Sequence, residues 1–134
     1  MNKVYLLRTT DAAGRSYGGF QWPLLVGAEV VAPDWDPSPV CGGGLHGALA
    51  GEGEGRLLSH DADALWWIVE AEAGAVVDLG GKVKVPRATV VAFGGRLEIT
   101  ERLVELCPGR AVIGASLTAG DAGTATAGDA GTAT

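Results

Sequence analysis

The apolar positions of the first hundred or so residues gather into short runs, 4–9, 17–22, 28–32, 65–71, 76–79, 83–85 and 89–93, broken by Gly, Pro or charged clusters. Runs of this length, rich in Val, Ile, Trp, Tyr and Phe and bounded by turn-forming residues, predict strands. In 65–72, alternation puts Leu65, Trp67, Val69 and Ala71 on one face and Trp66, Ile68, Glu70 and Glu72 on the other. Both faces begin apolar, which predicts a central strand covered on both sides, with Glu70 and Glu72 emerging at one end. Gly80-Gly81 predicts a tight hairpin that sets Lys82 and Lys84 on one face and Val83 and Val85 on the other. One helix is predicted, from Thr100 as N-cap to about Cys107, with Leu103, Val104 and Cys107 at helical spacing and Pro108-Gly109 as the stop. Pro33, Pro37 and Pro39 make 33–39 a loop. The sum is an α+β head, mostly β with one short helix, over residues 1–110.

Beyond residue 110 the pattern changes to a repeat of period eight. Residues 119–126 recur unchanged as 127–134, and 111–118 is a degenerate first copy. Val112, Ile113 and Leu117 exceed their counterparts in size, as expected of a unit that packs on the head on one side and on a regular repeat on the other. In Thr124-Ala125-Thr126-Ala127 alternation turns both Thr to one face and both Ala to the other, while Gly-Asp-Ala-Gly supplies a corner. Stacked copies would align Ser116, Thr118, Thr124, Thr126, Thr132 and Thr134 as a ladder of hydroxyls, with a last edge open to a second copy of the chain. Two octads are short of a finished array, which points to a shortened form of a longer protein or a unit meant to pair. The competing reading of 119–134 is a flexible Gly-Ala-Thr tail.

Composition removes some function classes. With 10 Lys and Arg against 16 Asp and Glu, a net charge of -6 and no basic run, neither nucleic acid nor an anionic membrane is an expected partner. Only Val4 to Leu7 are apolar before Arg8, too short for a signal peptide, so a cytoplasmic location is expected. In that setting Cys41 and Cys107 are expected to be reduced thiols.

The densest candidate motif is Cys41-Gly42-Gly43-Gly44-Leu45-His46-Gly47. Three Gly allow close backbone approach, and Cys41 with His46 would make a thiolate–imidazolium nucleophile if the loop folded back on itself. The plainer reading is a Gly-rich turn entering a short strand, with Cys41 buried and His46 bonded to a nearby backbone group. Asp34-Trp35-Asp36 either grips a ligand or anchors the loop through the Trp. Glu70 and Glu72 either act as acid and base or end a solvent-facing strand. The spacing of His46, His60, Asp61, Asp63 and the two Cys matches no metal-binding pattern, so no metal is expected.

Three resemblances follow. The head, with Tyr17-Gly18-Gly19-Phe20, 31–36 (Val-Ala-Pro-Asp-Trp-Asp), 41–47 and 82–86 (Lys-Val-Lys-Val-Pro), resembles a bacterial and phage domain-of-unknown-function family that precedes Gly-Thr-Ala octapeptide arrays, which brings no activity with it. The octads, through Ala119, Gly120, Thr124, Thr126 and their copies Ala127, Gly128, Thr132 and Thr134, resemble the octapeptides of bacterial ice-nucleation proteins. That resemblance implies a β-solenoid in which two octads complete one coil, although Asp121, Ala122 and Gly123 replace the aromatic and serine positions. Loosely, a first strand ending in Arg8, the Gly-Leu-His-Gly stretch and Glu70-Ala71-Glu72 are similar to ADP-ribosyltransferase-like folds. This implies that Arg8 and His46 bind NAD and Glu72 polarises the ribose hydroxyl, though the usual Ser-Thr-Ser is absent. The leading expectation is structural and without a cofactor: a head that caps and nucleates a solenoid and self-associates through its open edge. An NAD enzyme at Arg8, His46 and Glu72, and a small-ligand module at Trp35 and the Gly loop, are the alternatives.

Overall fold

The computed structural model describes residues 2–115. Seven antiparallel strands form one sheet in the order β2-β7-β4-β1-β3-β6-β5. The elements are β1 (Lys3–Thr10), β2 (Glu29–Val31), β3 (Leu45–Leu49), β4 (Leu65–Glu72), β5 (Val77–Asp78), β6 (Val83–Val85), β7 (Arg87–Gly94) and the helix α1 (Arg96–Leu106). This is the expected α+β class, mostly sheet with one helix. The octad positions Thr118, Thr124, Thr126, Thr132 and Thr134, together with Ser116, lie outside the described residues, and so does the expected solenoid.

The centre of the sheet follows from alternation in β4. Trp67, Val69 and Ala71 pack with Leu6, Trp22, Val85 and Val90 on one face. Trp66 and Ile68 pack with Leu7, Ile99, Leu103 and Val112 on the other. Both tryptophans are at most 1% exposed, so β4 is covered on both sides as its sequence requires. Each buried aromatic contributes a few kcal/mol, since large-to-small core changes of this kind cost about 3–5 kcal/mol. Trp67 also stacks on Phe93 at 4.9 Å and donates its indole N–H to Thr10 Oγ1 at 2.9 Å, which leaves its one polar atom satisfied in the core. β1 runs against β4 in unbroken register from Lys3 opposite Glu72 to Thr10 opposite Leu65. A register shift against β7 at Ile68/Val69 leaves Val91 as the extra residue.

Two local expectations are corrected, and the hairpin expected at Gly80-Gly81 forms. The helix begins at Arg96, one turn before Thr100, with Gly95 as N-cap and Glu98 in its first turn. Thr100 is buried inside the helix and donates its hydroxyl to the Arg96 carbonyl one turn back at 2.8 Å, a bond that removes the need for a cap there. Residues 17–22 form no strand: Gly18 and Gly19 take φ of +82° and +85° in a 3-10 turn, Tyr17–Gly19, and pairing shrinks to one Arg15–Gln21 bridge. At the hairpin joining β5 and β6, Leu79 N–H bonds the Lys82 carbonyl at 2.9 Å, and only Gly80 adopts positive φ, +101°.

Candidate functional site

Two regions bring chemistry-bearing residues together. At the first, β1 delivers Arg8 beside β3. Its Nη1 donates to the His46 carbonyl at 3.0 Å, its Nη2 to the Thr9 carbonyl at 3.3 Å, and the guanidinium lies 4.4 Å from the Trp22 ring centroid. Burial lowers its pKa to about 10, which still leaves it cationic at neutral pH. Arg8 Nε and Trp22 Nε1 are both buried and have no acceptor among the described residues.

His46 follows in β3, and the loop before it folds back so that His46 Nε2 accepts the Gly42 N–H at 3.4 Å. Burial first, then repulsion from Lys82, Arg8 and Lys84 against a weaker pull from Asp34, brings its pKa down to about 4. A neutral ring with Nε2 as acceptor is the form that this bond requires. The thiolate–imidazolium expectation is therefore corrected: His46 is not a cation at neutral pH, its Nε2 serves the backbone, and Cys41 is exposed rather than buried. Both Cys41 and Cys107 are free thiols.

Packing explains Gly43 and Gly44, while Gly42 stands in open space with φ of +103°. Lys84, fully buried opposite His46 in β6, donates its ammonium to the Val40 carbonyl at 2.9 Å and the Gly42 carbonyl at 3.0 Å, 5.7 Å from the Trp35 ring. Trp35 in turn lies against Gly44, where a Cβ would come within 3.0 Å of the indole and 3.2 Å of Lys84 Cβ. At Gly43, φ +52°, a Cβ would sit 2.6 Å from Asp36 Cβ. Asp36 closes the loop by accepting the Ser38 N–H and hydroxyl, bonds that hold its carboxyl below the ordinary range. Asp34-Trp35-Asp36 thus anchors the loop, with Trp35 packed inward.

A cleft of about 730 Å³ opens beside these residues, lined among others by Arg8, Trp22, Asp34, Gly42, Gly43, Gly44, His46, Glu54 and Lys82. Arg8 and His46 are together on its wall. Glu72 is not with them: Arg8 pairs across from Trp67, five residues from Glu72, a separation of about 17 Å along the strand. Glu72 is exposed opposite Lys3, and antiparallel register is what parts it from Arg8 and His46. Among the described residues no group of three or more His, Cys, Asp or Glu side chains is placed to hold a metal. No described helix is long and apolar enough to cross a membrane.

The second region is where the chain leaves the head. Glu52 holds Arg110 Nη1 at 2.7 Å and accepts the Ala111 N–H at 3.2 Å. The Ile113 N–H donates to the Gly51 carbonyl at 2.8 Å, and Arg96 donates to the Gly114 carbonyl. Between these bonds Val112 is buried against the helix-side core. Motif reasoning foresaw Val112 and Ile113 packing on the head; it missed Gly51, Glu52 and Arg96, which carry no local signature because their partners are 18 to 62 residues away.

Comparison with known proteins sets both regions in context. The chain is 38% identical over 96 residues to an ice nucleation protein of Pseudomonas fluorescens, covering 70% of this chain and 8% of that protein. It is 33% identical over 110 residues to one from Xanthomonas campestris pv. translucens, covering 81% and 7%. With ice nucleation protein InaU of Pantoea ananas the figures are 35% over 95 residues, 69% and 9%. These matches are far longer than the sixteen residues of the two octads, so the similarity includes the head. The chain spans less than a tenth of the length of these relatives. No family model matches the chain, and no solved structure matches it. This kinship conflicts with the expected cytoplasmic location, which is withdrawn. That expectation rested on the first ten residues alone, whereas the relatives extend more than ten times beyond the matched segment.

Proposed function

We propose that this chain is the structural head of an ice-nucleation-like repeat protein, and that it fixes and caps the first turn of an octapeptide solenoid. The observation that carries this reading is the held exit of residues 110–115. A segment that merely trailed off the head would have no need of three hydrogen bonds from the head to its backbone groups, an ion pair and a buried valine within six residues. Similarity to ice nucleation proteins that includes the head supports a structural, repeat-bearing role. In this reading the degenerate octad 111–118 is the first rung. Val112 and Ile113 pack on the helix-side core of the head, and the octads that follow associate with those of a second copy.

Sedimentation of the intact chain over a range of concentrations tests it, beside Val112→Asp. Self-association of the parent, lost in Val112→Asp while the near-ultraviolet signal of the buried tryptophans persists, is the expected result. A monomer at every concentration, or association indifferent to Val112→Asp, overturns the reading.

A further inference from the structure

We infer that the cleft beside Arg8 is a binding site for a phosphate ester of charge -2 or greater, a role separate from repeat assembly. The argument starts from an uncompensated cation. The ion pairs among the described residues are Arg56–Glu54, Arg87–Glu29 and Arg110–Glu52, all on the exposed surface. Among the described residues Arg8 has no carboxylate partner: two neutral carbonyls and a tryptophan face hold it, and its Nε–H has no acceptor there. A buried charge left this way is costly, and it persists where something outside the fold supplies the counter-charge.

The second observation is that Arg8 does not stand alone. Lys82 lines the same cleft, and Lys84 pairs across the strands with His46, its ammonium bonded to the Val40 and Gly42 carbonyls. All three cations act on His46, and burial together with their repulsion keeps that ring neutral. The carboxylates on the wall are Asp34 and Glu54, and Glu54 is shared with Arg56 at 3.4 Å. In a chain of net charge -6, the cleft sets Arg8 and Lys82 against these two carboxylates, one of them already held by Arg56. A low-dielectric wall around such a cluster concentrates anions. Arg8 is pre-set by its carbonyl anchors, so little rotamer entropy is lost on binding.

Size and charge narrow the ligand. About 730 Å³ lies within the range of small-molecule sites, and Phe20 and Trp22 give part of the wall an aromatic character. Two cations at the cleft, Arg8 and Lys82, match a phosphate better than a single carboxylate, which carries half the charge.

Titration of the intact chain with sodium phosphate and pyrophosphate, against chloride of equal ionic strength, reads the site through the amide shifts of Arg8, His46 and Lys82. Saturable, localised shifts are expected, with affinity falling at least about fivefold in Lys82→Gln and unchanged in Arg87→Gln. Lys82 is a partly exposed residue, so its variant remains informative if Arg8→Met fails to fold. A parallel sedimentation with vesicles of phosphatidylcholine with or without phosphatidic acid separates a lipid headgroup from a free solute as the source. Binding to either source that weakens in Lys82→Gln supports the site. No saturable response to either anion up to about 10 mM and no vesicle binding, or binding indifferent to Lys82→Gln, overturns it.

Discussion

Gly51 meets Val112 so closely that a Cβ on Gly51 would fall 2.9 Å from Val112 Cγ1 and equally close to Leu103 Cδ2. The backbone there is left-handed, φ +82°, and its carbonyl accepts the Ile113 N–H. One residue therefore joins the helix, the strand-end turn and the exit segment.

Gly51→Ala is expected to cost about 2–4 kcal/mol. Positive φ contributes about 1 kcal/mol and overpacking against two buried side chains about 1–3 kcal/mol. Urea denaturation gives the value. In native-state hydrogen exchange the Ile113 amide should lose more protection than amides of β4. An effect below about 0.5 kcal/mol would show that the exit segment yields easily and is not held by close packing.

His46 makes the head sensitive to acid. Its folded pKa of about 4 lies below the ordinary 6.5, so between these values the unfolded chain binds more protons than the folded one. Stability from this group is full above pH 6.5 and is lost as pH falls toward 4. The ring is partly exposed, and solvent screening reduces the effect to about 1 kcal/mol. His46→Gln should flatten the stability profile between pH 6.5 and 4, measured by thermal unfolding. An unchanged slope would mean that the ring protonates freely.

Lys84→Met keeps the volume of the side chain and removes its ammonium. The carbonyls of Val40 and Gly42 lose their donor, but both residues are exposed and water can reach them. The expected global loss is therefore only about 1–2 kcal/mol, with the larger change in the loop. Proteolysis should cut within 36–43 many times faster than in the parent. Equal resistance would show that Trp35 alone fastens the loop.

Much of the head was legible because its signals are local. The two-faced strand 65–72 declares itself by alternation, and Gly80-Gly81 marks its own turn. The helix start was misread because Thr100 looks like a cap, whereas its hydroxyl bonds backward within the helix. Lys84 between two valines reads as a solvent-side residue; its burial depends on carbonyls more than forty positions earlier. The pairing of Arg8 with His46, and the separation of both from Glu72, are products of strand register. Spacing along one chain does not encode that register when β1, β2, β3 and β4 are joined by long connections, 11–28, 32–44 and 50–64.

Glu52 offers the most selective probe of the exit. Its carboxylate serves Arg110 at 2.7 Å and the Ala111 N–H at 3.2 Å, yet both ionic side chains are nearly half exposed. An exposed pair is worth about 0–1 kcal/mol, so Glu52→Gln should barely move the global unfolding midpoint. The amide keeps an oxygen for Ala111 but weakens the hold on Arg110. Exchange of the Ala111 and Ile113 amides should accelerate several-fold, while Glu29→Gln, at the looser 3.5 Å pair with Arg87, leaves both unchanged. The Glu52→Gln effect should also shrink in high salt, because the bond it weakens is screened. If Glu29→Gln accelerated the same amides equally, their protection would report the global stability of the head, and Glu52 would have no separate part in holding the exit.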